Sequence, residues 1–157
     1  TAIIGDAHKL EFNNNTFNLI YMRNVIHYLD NPDLVFSEIY RCLKKGGYFL
    51  FSQVVPPDDS ISEEYDWLIG RNIHYPTQSE ITQLFSNYSV TNRDQFILQN
   101  QSIMNWLHNT CSNEEKKKII IKRHKETSDV YKSLVHFSTT KNDILVNIKN
   151  FMILGRK

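Results

Sequence analysis

The order of signals between Phe17 and Val55 constrains this chain more than any other feature. Phe17-Asn18-Leu19-Ile20-Tyr21-Met22 is almost continuously apolar, the pattern of a strand covered on both faces in a parallel sheet. Arg23-Asn24 ends it, and Asp30-Asn31-Pro32-Asp33 opens a helix. Asn31 can cap the first turn, Pro32 suits the first helical position because its missing N–H has no partner there anyway, and Asp33 complements the helix dipole. Val35, Ile39, Cys42 and Leu43 recur at helical spacing, Lys44 and Lys45 stand at the negative end, and Gly46-Gly47 supplies a left-handed stop. Tyr48 to Val55 is a second buried strand, closed by Pro56-Pro57. Two parallel strands joined by a helix require a right-handed crossover. The first third therefore predicts an α/β fold.

Upstream, Ala2-Ile3-Ile4 reads as the end of a strand stopped by Gly5-Asp6 with nothing before it, the mark of a fragment. Downstream, Ile61 to Tyr75 mixes aromatic and charged residues and reads as a lid or irregular wall. Thr77-Gln78-Ser79-Glu80 is a capping box for a helix reaching Phe85. Ser89 to Leu98 reads as a strand, Ile103–His108, Asn113–Lys125 and Thr127–Leu134 as helices, and Phe151-Met152-Ile153-Leu154 as a last strand closed by Gly155.

With 18 Lys plus Arg against 17 Asp plus Glu, a net charge of +1 leaves no global attraction to nucleic acid or anionic membrane. No apolar run approaches the roughly 20 residues needed to cross a bilayer. Two cysteines, Cys42 and Cys111, make no disulfide framework. A reducing, cytoplasmic setting is expected.

Five pieces stand in order: Gly5-Asp6-Ala7, Leu10-Glu11-Phe12, Phe17 to Tyr21, Val25-Ile26-His27-Tyr28-Leu29, and Ile39 to Gly47 with its Lys44-Lys45-Gly46-Gly47 turn. Together they resemble the class I S-adenosylmethionine-dependent methyltransferases, in particular the small-molecule group that includes the ubiquinone and menaquinone biosynthesis type. The resemblance covers residues 5–52, thins to the general plan beyond Val55, and returns in Phe151 to Lys157. It implies a Rossmann-like α/β sheet with the N-terminal strands missing and additional helices in the C-terminal half. Residues 1–56 then form core strands and helix, 57–141 acceptor-side helices, lid and strand, and 142–157 the final core strand.

The resemblance also implies roles. Asp6 would accept from the exocyclic amine of adenine, Ala7 leave room for the ring and Leu10 pack against it. Met22, Arg23 and Asn24 would meet the methionine end of the cofactor. Ligands of open α/β sheets bind beyond the carboxyl ends of the strands, where Asp6 and Arg23-Asn24 both fall. Asp6 is equally suited to close a turn, and Arg23 to be a solvated loop charge. His27 lies where the family often carries a histidine, able to orient or deprotonate an acceptor, or to pack in support of the loop before Asn31. Gln53, Tyr65, Trp67 and His74 are candidates for the acceptor pocket, although aromatic residues in a mixed segment often serve structure. Methyl transfer is an in-line displacement that needs mainly alignment.

The family's glycine-rich loop and the acidic end of its second strand are not in this sequence. Only Gly5, Gly46, Gly47, Gly70 and Gly155 occur. The chain by itself is therefore expected to bind S-adenosylmethionine weakly or not at all, and to be inactive. An open edge at Phe17–Met22 invites cover by an upstream segment or a second copy. Expected partners are a small-molecule methyl acceptor, with no nucleic acid and no membrane. The competing reading is a non-catalytic binding or scaffold module of degenerate methyltransferase fold. A basic run from Lys116 to Lys125 is a solvated helix face supported by Glu114–Lys118 pairing rather than a phosphate-binding patch. His108 and Cys111 do not match a four-ligand metal spacing, so no metal is expected.

Overall fold

A parallel pair joined by a helix stands at the start of the computed structural model, which describes residues 2–70 and 73–157. Strand β1 (Phe17–Arg23) pairs in parallel with β2 (Leu43–Val54) across helix α1 (Pro32–Cys42). Asn31 caps α1 as expected, its side-chain oxygen accepting from the Leu34 N–H at 3.2 Å. The helix ends earlier than the sequence suggests. Leu43 is already extended, and Lys44 to Gly47 belong to β2.

Gly46 and Gly47 do their work inside that strand. Partners run Phe17 with Leu43 and then Leu19 with Tyr48, so one strand advances two residues while the other advances five. Gly46 absorbs the bulge in the left-handed region at φ +80°, and a Cβ on Gly47 would sit 2.9 Å from the Lys44 carbonyl oxygen and 3.1 Å from those of Phe17 and Asn18. Backbone approach, not helix termination, requires the second glycine.

Two further expectations are corrected. Strand β1 is not covered on both faces, since Leu19 and Tyr21 are 57% and 54% exposed and β1 ends the strand order with β2 as its neighbour. Ala2-Ile3-Ile4 forms no strand. Ile3 and Ile4 are exposed, and the nearest ladder contact is a single bridge between Asp6 and Lys9. An apolar run without a partner strand among the described residues stays irregular.

The chain divides into two compact units. The first comprises Thr1–Gln53, Gln78–Gln95 and Phe151–Lys157. Its sheet follows the order β1, β2, β5 (Ile144–Arg156), β3 (Ser89–Ser102), the latter two contributing their portions within this unit. An aromatic cluster fills it. Phe36 of α1 meets Phe49 edge-on at 5.2 Å, and Phe49 stacks at 5.2 Å on Phe85, just beyond α3 (Gln78–Leu84). Tyr88 packs on Phe85 at 5.1 Å and donates its buried hydroxyl to the Phe36 carbonyl at 2.9 Å. A Cβ on Gly155 would fall 2.8 Å from both Phe85 Cδ1 and Tyr88 Cβ. Gly155 therefore does not close β5, which runs on to Arg156; it makes room for the Phe85 ring and the Tyr88 Cβ.

The second unit comprises Val54–Thr77 and Phe96–Asn150. It holds α2 (Ser62–Ile69), α4 (Ile103–Thr110), α5 (Glu114–Glu126) and α6 (Asp129–Leu134), and β4 (Ser138–Thr139) antiparallel to β5. Ser102, Asn113 and Ser128 cap α4, α5 and α6. Leu68, Leu107, Ile120, Val135, Ile144 and Val146 lead its core. The stretch expected to be irregular thus contains a regular helix, α2, ended by Gly70 at φ +64°. On α5 the pairs are Glu114–Lys117 and Glu115–Lys118, one residue closer than expected, and His124 turns inward to 1% exposure. Among the described residues, no helix is long and apolar enough to cross a membrane and no three metal-ligating side chains converge.

Candidate functional site

Strands β1 and β2 are parallel, so their carboxyl ends lie side by side, where open α/β sheets receive ligands. Arg23 ends β1, exposed; Met22 before it is half-buried. Asn24 follows in the left-handed region at φ 51° and donates its backbone N–H to the Ser52 carbonyl of β2 at 3.0 Å. Asparagine tolerates this conformation better than most residues, and the turn it makes leads into a short 3-10 segment, Ile26–Tyr28.

That segment carries His27 to β2. Gln53 is fully buried, and its Nε2 lies 3.0 Å from His27 Nδ1. An amide nitrogen only donates, so in this arrangement Nδ1 accepts and Nε2 is left as the ring's N–H. The Tyr28 ring, 4.0 Å away between centroids, lies against the imidazole. The structure thus brings together one candidate from the turn and one from the strand. In this arrangement His27 is held as an oriented donor. To act as a base through Nδ1 it would first have to surrender the hydrogen bond from Gln53.

Asp6 lies in a tight turn closed by the Lys9 N–H on its carbonyl at 3.1 Å. Its Oδ1 accepts from the His8 backbone N–H at 2.9 Å and faces the His8 ring nitrogen Nδ1 at 2.8 Å. These bonds hold the carboxyl below its usual range, led by the His8 backbone N–H. The side chain is 67% exposed, and Oδ2 accepts nothing among the described residues. Asp6 therefore closes a turn and also presents an ionised acceptor. Ala7 and Leu10 are half-buried.

The residues that shape this loop escaped the sequence reading. Arg41 of α1 donates from Nη2 to the Leu10 carbonyl at 2.9 Å, and from Nη1 to the Phe12 carbonyl at 2.7 Å and Asn14 Oδ1 at 2.8 Å. Glu38 accepts from the Leu10 N–H at 2.9 Å and from Arg41 at two 2.8 Å contacts. The guanidinium holds the Glu38 carboxyl down to about 2. Glu38 three residues before Arg41 on a helix was the available signal; that the pair reaches back to residues 10–14 is invisible locally.

In the second unit the remaining candidates separate. Tyr65 is buried in the core, edge-on to Tyr75 at 5.5 Å, with its hydroxyl pKa pushed up by burial. Trp67 and His74 share a recess of about 570 Å³ with Asp66 and Arg123. His74 Nδ1 lies 2.7 Å from Asp66 Oδ2, whose other oxygen accepts the Tyr75 N–H at 2.9 Å. Arg123 lies 5.0 Å over the Trp67 ring and donates to the Trp67 carbonyl at 2.6 Å. Asp66 and Arg123, which orient the two candidates, carried no sequence signal of their own.

The family described as a methyltransferase domain matches residues 1–51. Comparison with the curated proteins yields no match. Among solved structures, a Bacillus halodurans protein assigned as a methyltransferase superposes with a TM-score of 0.86 at 20% identity, over 98% of this chain and 69% of its own. A Thermotoga maritima S-adenosylmethionine-dependent methyltransferase gives 0.54 at 18% identity, over 98% and 62%. The [4+2]-cyclase SpnF gives 0.58 at 15% identity, over 98% and 55%. Residues 1–51 carry the methyltransferase-domain signature, and the chain has the Rossmann-like α/β fold of the class I S-adenosylmethionine-dependent methyltransferases.

Proposed function

We propose that this chain is the acceptor-side portion of an S-adenosylmethionine-dependent methyltransferase that acts on a small molecule. The observation that carries the reading is the methyltransferase signature over residues 1–51, together with the meeting of His27 and Gln53 beside the Arg23-Asn24 turn. The cofactor, when bound, supplies an electrophilic methyl group on a sulfonium. The residues present suit its adenine side: an exposed, ionised Asp6 can accept from an exocyclic amine, with half-buried Ala7 and Leu10 beside it. The glycine-rich turn that would receive the methionine portion is not among these residues, which supports weak binding by the chain alone.

Within this reading Arg23 and Asn24 edge the cofactor's methionine end. His27, held by Gln53, orients the acceptor through an N–H rather than removing its proton. Alignment of donor and acceptor then supplies most of the acceleration. The Trp67 and His74 recess is the candidate acceptor surface of the second unit. A cytoplasmic setting is part of the same proposal.

The test begins with the intact mass of the natural protein, followed by calorimetric titration of S-adenosylmethionine into it. Binding that Asp6→Ala weakens about tenfold, equal to about 1.4 kcal/mol, is the expected result. No binding by the natural protein would overturn the reading. It would favour a second one, a module that keeps the fold without methyl transfer, which the fold shared with a cyclase supports.

A further inference from the structure

We infer that the second unit contains a binding site for a small, soluble anionic amphiphile, a phosphate or carboxylate on an apolar body. The inference stands apart from methyl transfer. Helices α4, α5 and α6 and the segment around β4 enclose a recess of about 650 Å³, inside the range of roughly 300–1,000 Å³ typical of small-molecule sites. Its apolar side comes from Met104, Ile121, Phe137 and Ile144. Its charge comes from Lys125, Lys132 and Lys141.

Two of the three cations are not neutralised from within. Lys125 and Lys141 form no ion pair among the described residues. Lys132 reaches Asp129 only at 4.0 Å, and its ammonium lies 5.9 Å from the Phe137 ring centroid. The carboxylate that lines the recess, Asp143, is committed elsewhere. Its Oδ2 accepts from Ser102 Oγ at 2.5 Å, and its Oδ1 from the N–H groups of Met104 at 3.1 Å and Ile144 at 2.7 Å. Three lysines thus line a partly apolar recess against one aspartate, whose oxygens are occupied in starting α4, and the lining keeps an excess of positive charge. A ligand with one anionic head and an apolar body satisfies both parts. An inorganic anion leaves the apolar side wet, and a neutral amphiphile leaves the cations unmatched.

The test titrates octyl phosphate, below its micelle threshold, into the full chain and follows backbone-amide NMR shifts. Saturable binding with a dissociation constant below about 1 mM, with shifts centred on residues 137–144, is expected. Octyl glucoside and inorganic phosphate should each bind at least about tenfold more weakly. Lys125→Gln with Lys132→Gln should weaken octyl phosphate about tenfold, and Lys141→Gln alone should weaken it measurably if the double variant does not fold. Lys116→Gln with Lys118→Gln, exposed residues of α5 outside the recess, should change it less than twofold. Equal binding of octyl phosphate and octyl glucoside would mean that the lysine stems merely cover apolar surface and would overturn the site. So would no binding, shifts elsewhere, lysine variants that bind like the parent, or stronger association with anionic vesicles than with the free amphiphile.

Discussion

Arg41 grips Glu38 through two N–H···O contacts of 2.8 Å, and the same guanidinium holds the carbonyls of Leu10 and Phe12. One helical residue thus fixes both a carboxylate and the loop that carries Asp6, Ala7 and Leu10. Charge-assisted, forked bonds of this kind combine strength with geometry. A lysine cannot reproduce them.

Glu38 should therefore mark the acid limb of stability. Its folded pKa, about 2, lies below the ordinary glutamate value of about 4.3. The stabilisation is present above the unfolded pKa and is lost as pH falls from about 4.3 towards 2. Thermal unfolding between pH 6 and pH 2.5 should show a fall in Tm that Glu38→Gln flattens. An unchanged slope would remove the pair from the acid transition.

His124 should act on a different pH window. Burial lowers its pKa, partly opposed by the hydrogen bond from Nδ1 to the Ile120 carbonyl at 2.8 Å. The folded pKa thus lies below the unfolded value of about 6.5, so the unfolded chain takes up the proton first. Stability should decline as pH drops below about 6.5. His124→Gln, which keeps an N–H donor and does not titrate, should lose that decline between pH 7 and pH 5 in urea denaturation.

Gly155 should tolerate no side chain. The added methyl of Gly155→Ala meets Phe85 and Tyr88 at 2.8 Å, and overpacking a filled core costs about 1–3 kcal/mol. Chemical denaturation of the variant gives the number directly. A cost below 0.5 kcal/mol, roughly the scatter of surface substitutions, would show that the Phe85 ring and the backbone at Tyr88 can move aside.

Gln53 should set the His27 tautomer. Nitrogen-15 NMR of the imidazole in the parent chain should show Nδ1 as the unprotonated nitrogen and Nε2 as the carrier of the hydrogen. Gln53→Leu removes the donor to Nδ1 and should give a mixed or reversed population. A parent ring protonated on Nδ1 would contradict the arrangement.

Local signals are legible in this sequence and distant ones are not. Asn31 and Pro32 start α1 through bonds within one turn, so their meaning is written in adjacent residues. The end of α1 was misplaced because Lys44 to Gly47 suit a helix terminus equally well; the pairing of Phe17 with Leu43 draws them into β2. Ala2-Ile3-Ile4 has strand composition but no partner strand. Tyr65 and Trp67 are two residues apart on α2, yet one enters the core and the other stays 46% exposed; helix phase decides this, and composition does not report it. At the candidate site, His27 and Gln53 each stand out, but a separation of 26 in sequence hides their contact. Nothing beside Arg41 in the sequence announces its hold on the loop, because its acceptors there lie 27 to 31 residues away.

The fit of Gly155 against Phe85 and Tyr88 also has a consequence for how such a sequence can drift. Part of the space at 155 is taken by the Phe85 ring, which a smaller residue would vacate, and part by the Tyr88 Cβ, an atom that every residue except glycine carries. A smaller residue at 85 therefore does not by itself make room for a side chain at 155. Aligned relatives should accordingly keep glycine at 155 even where position 85 varies.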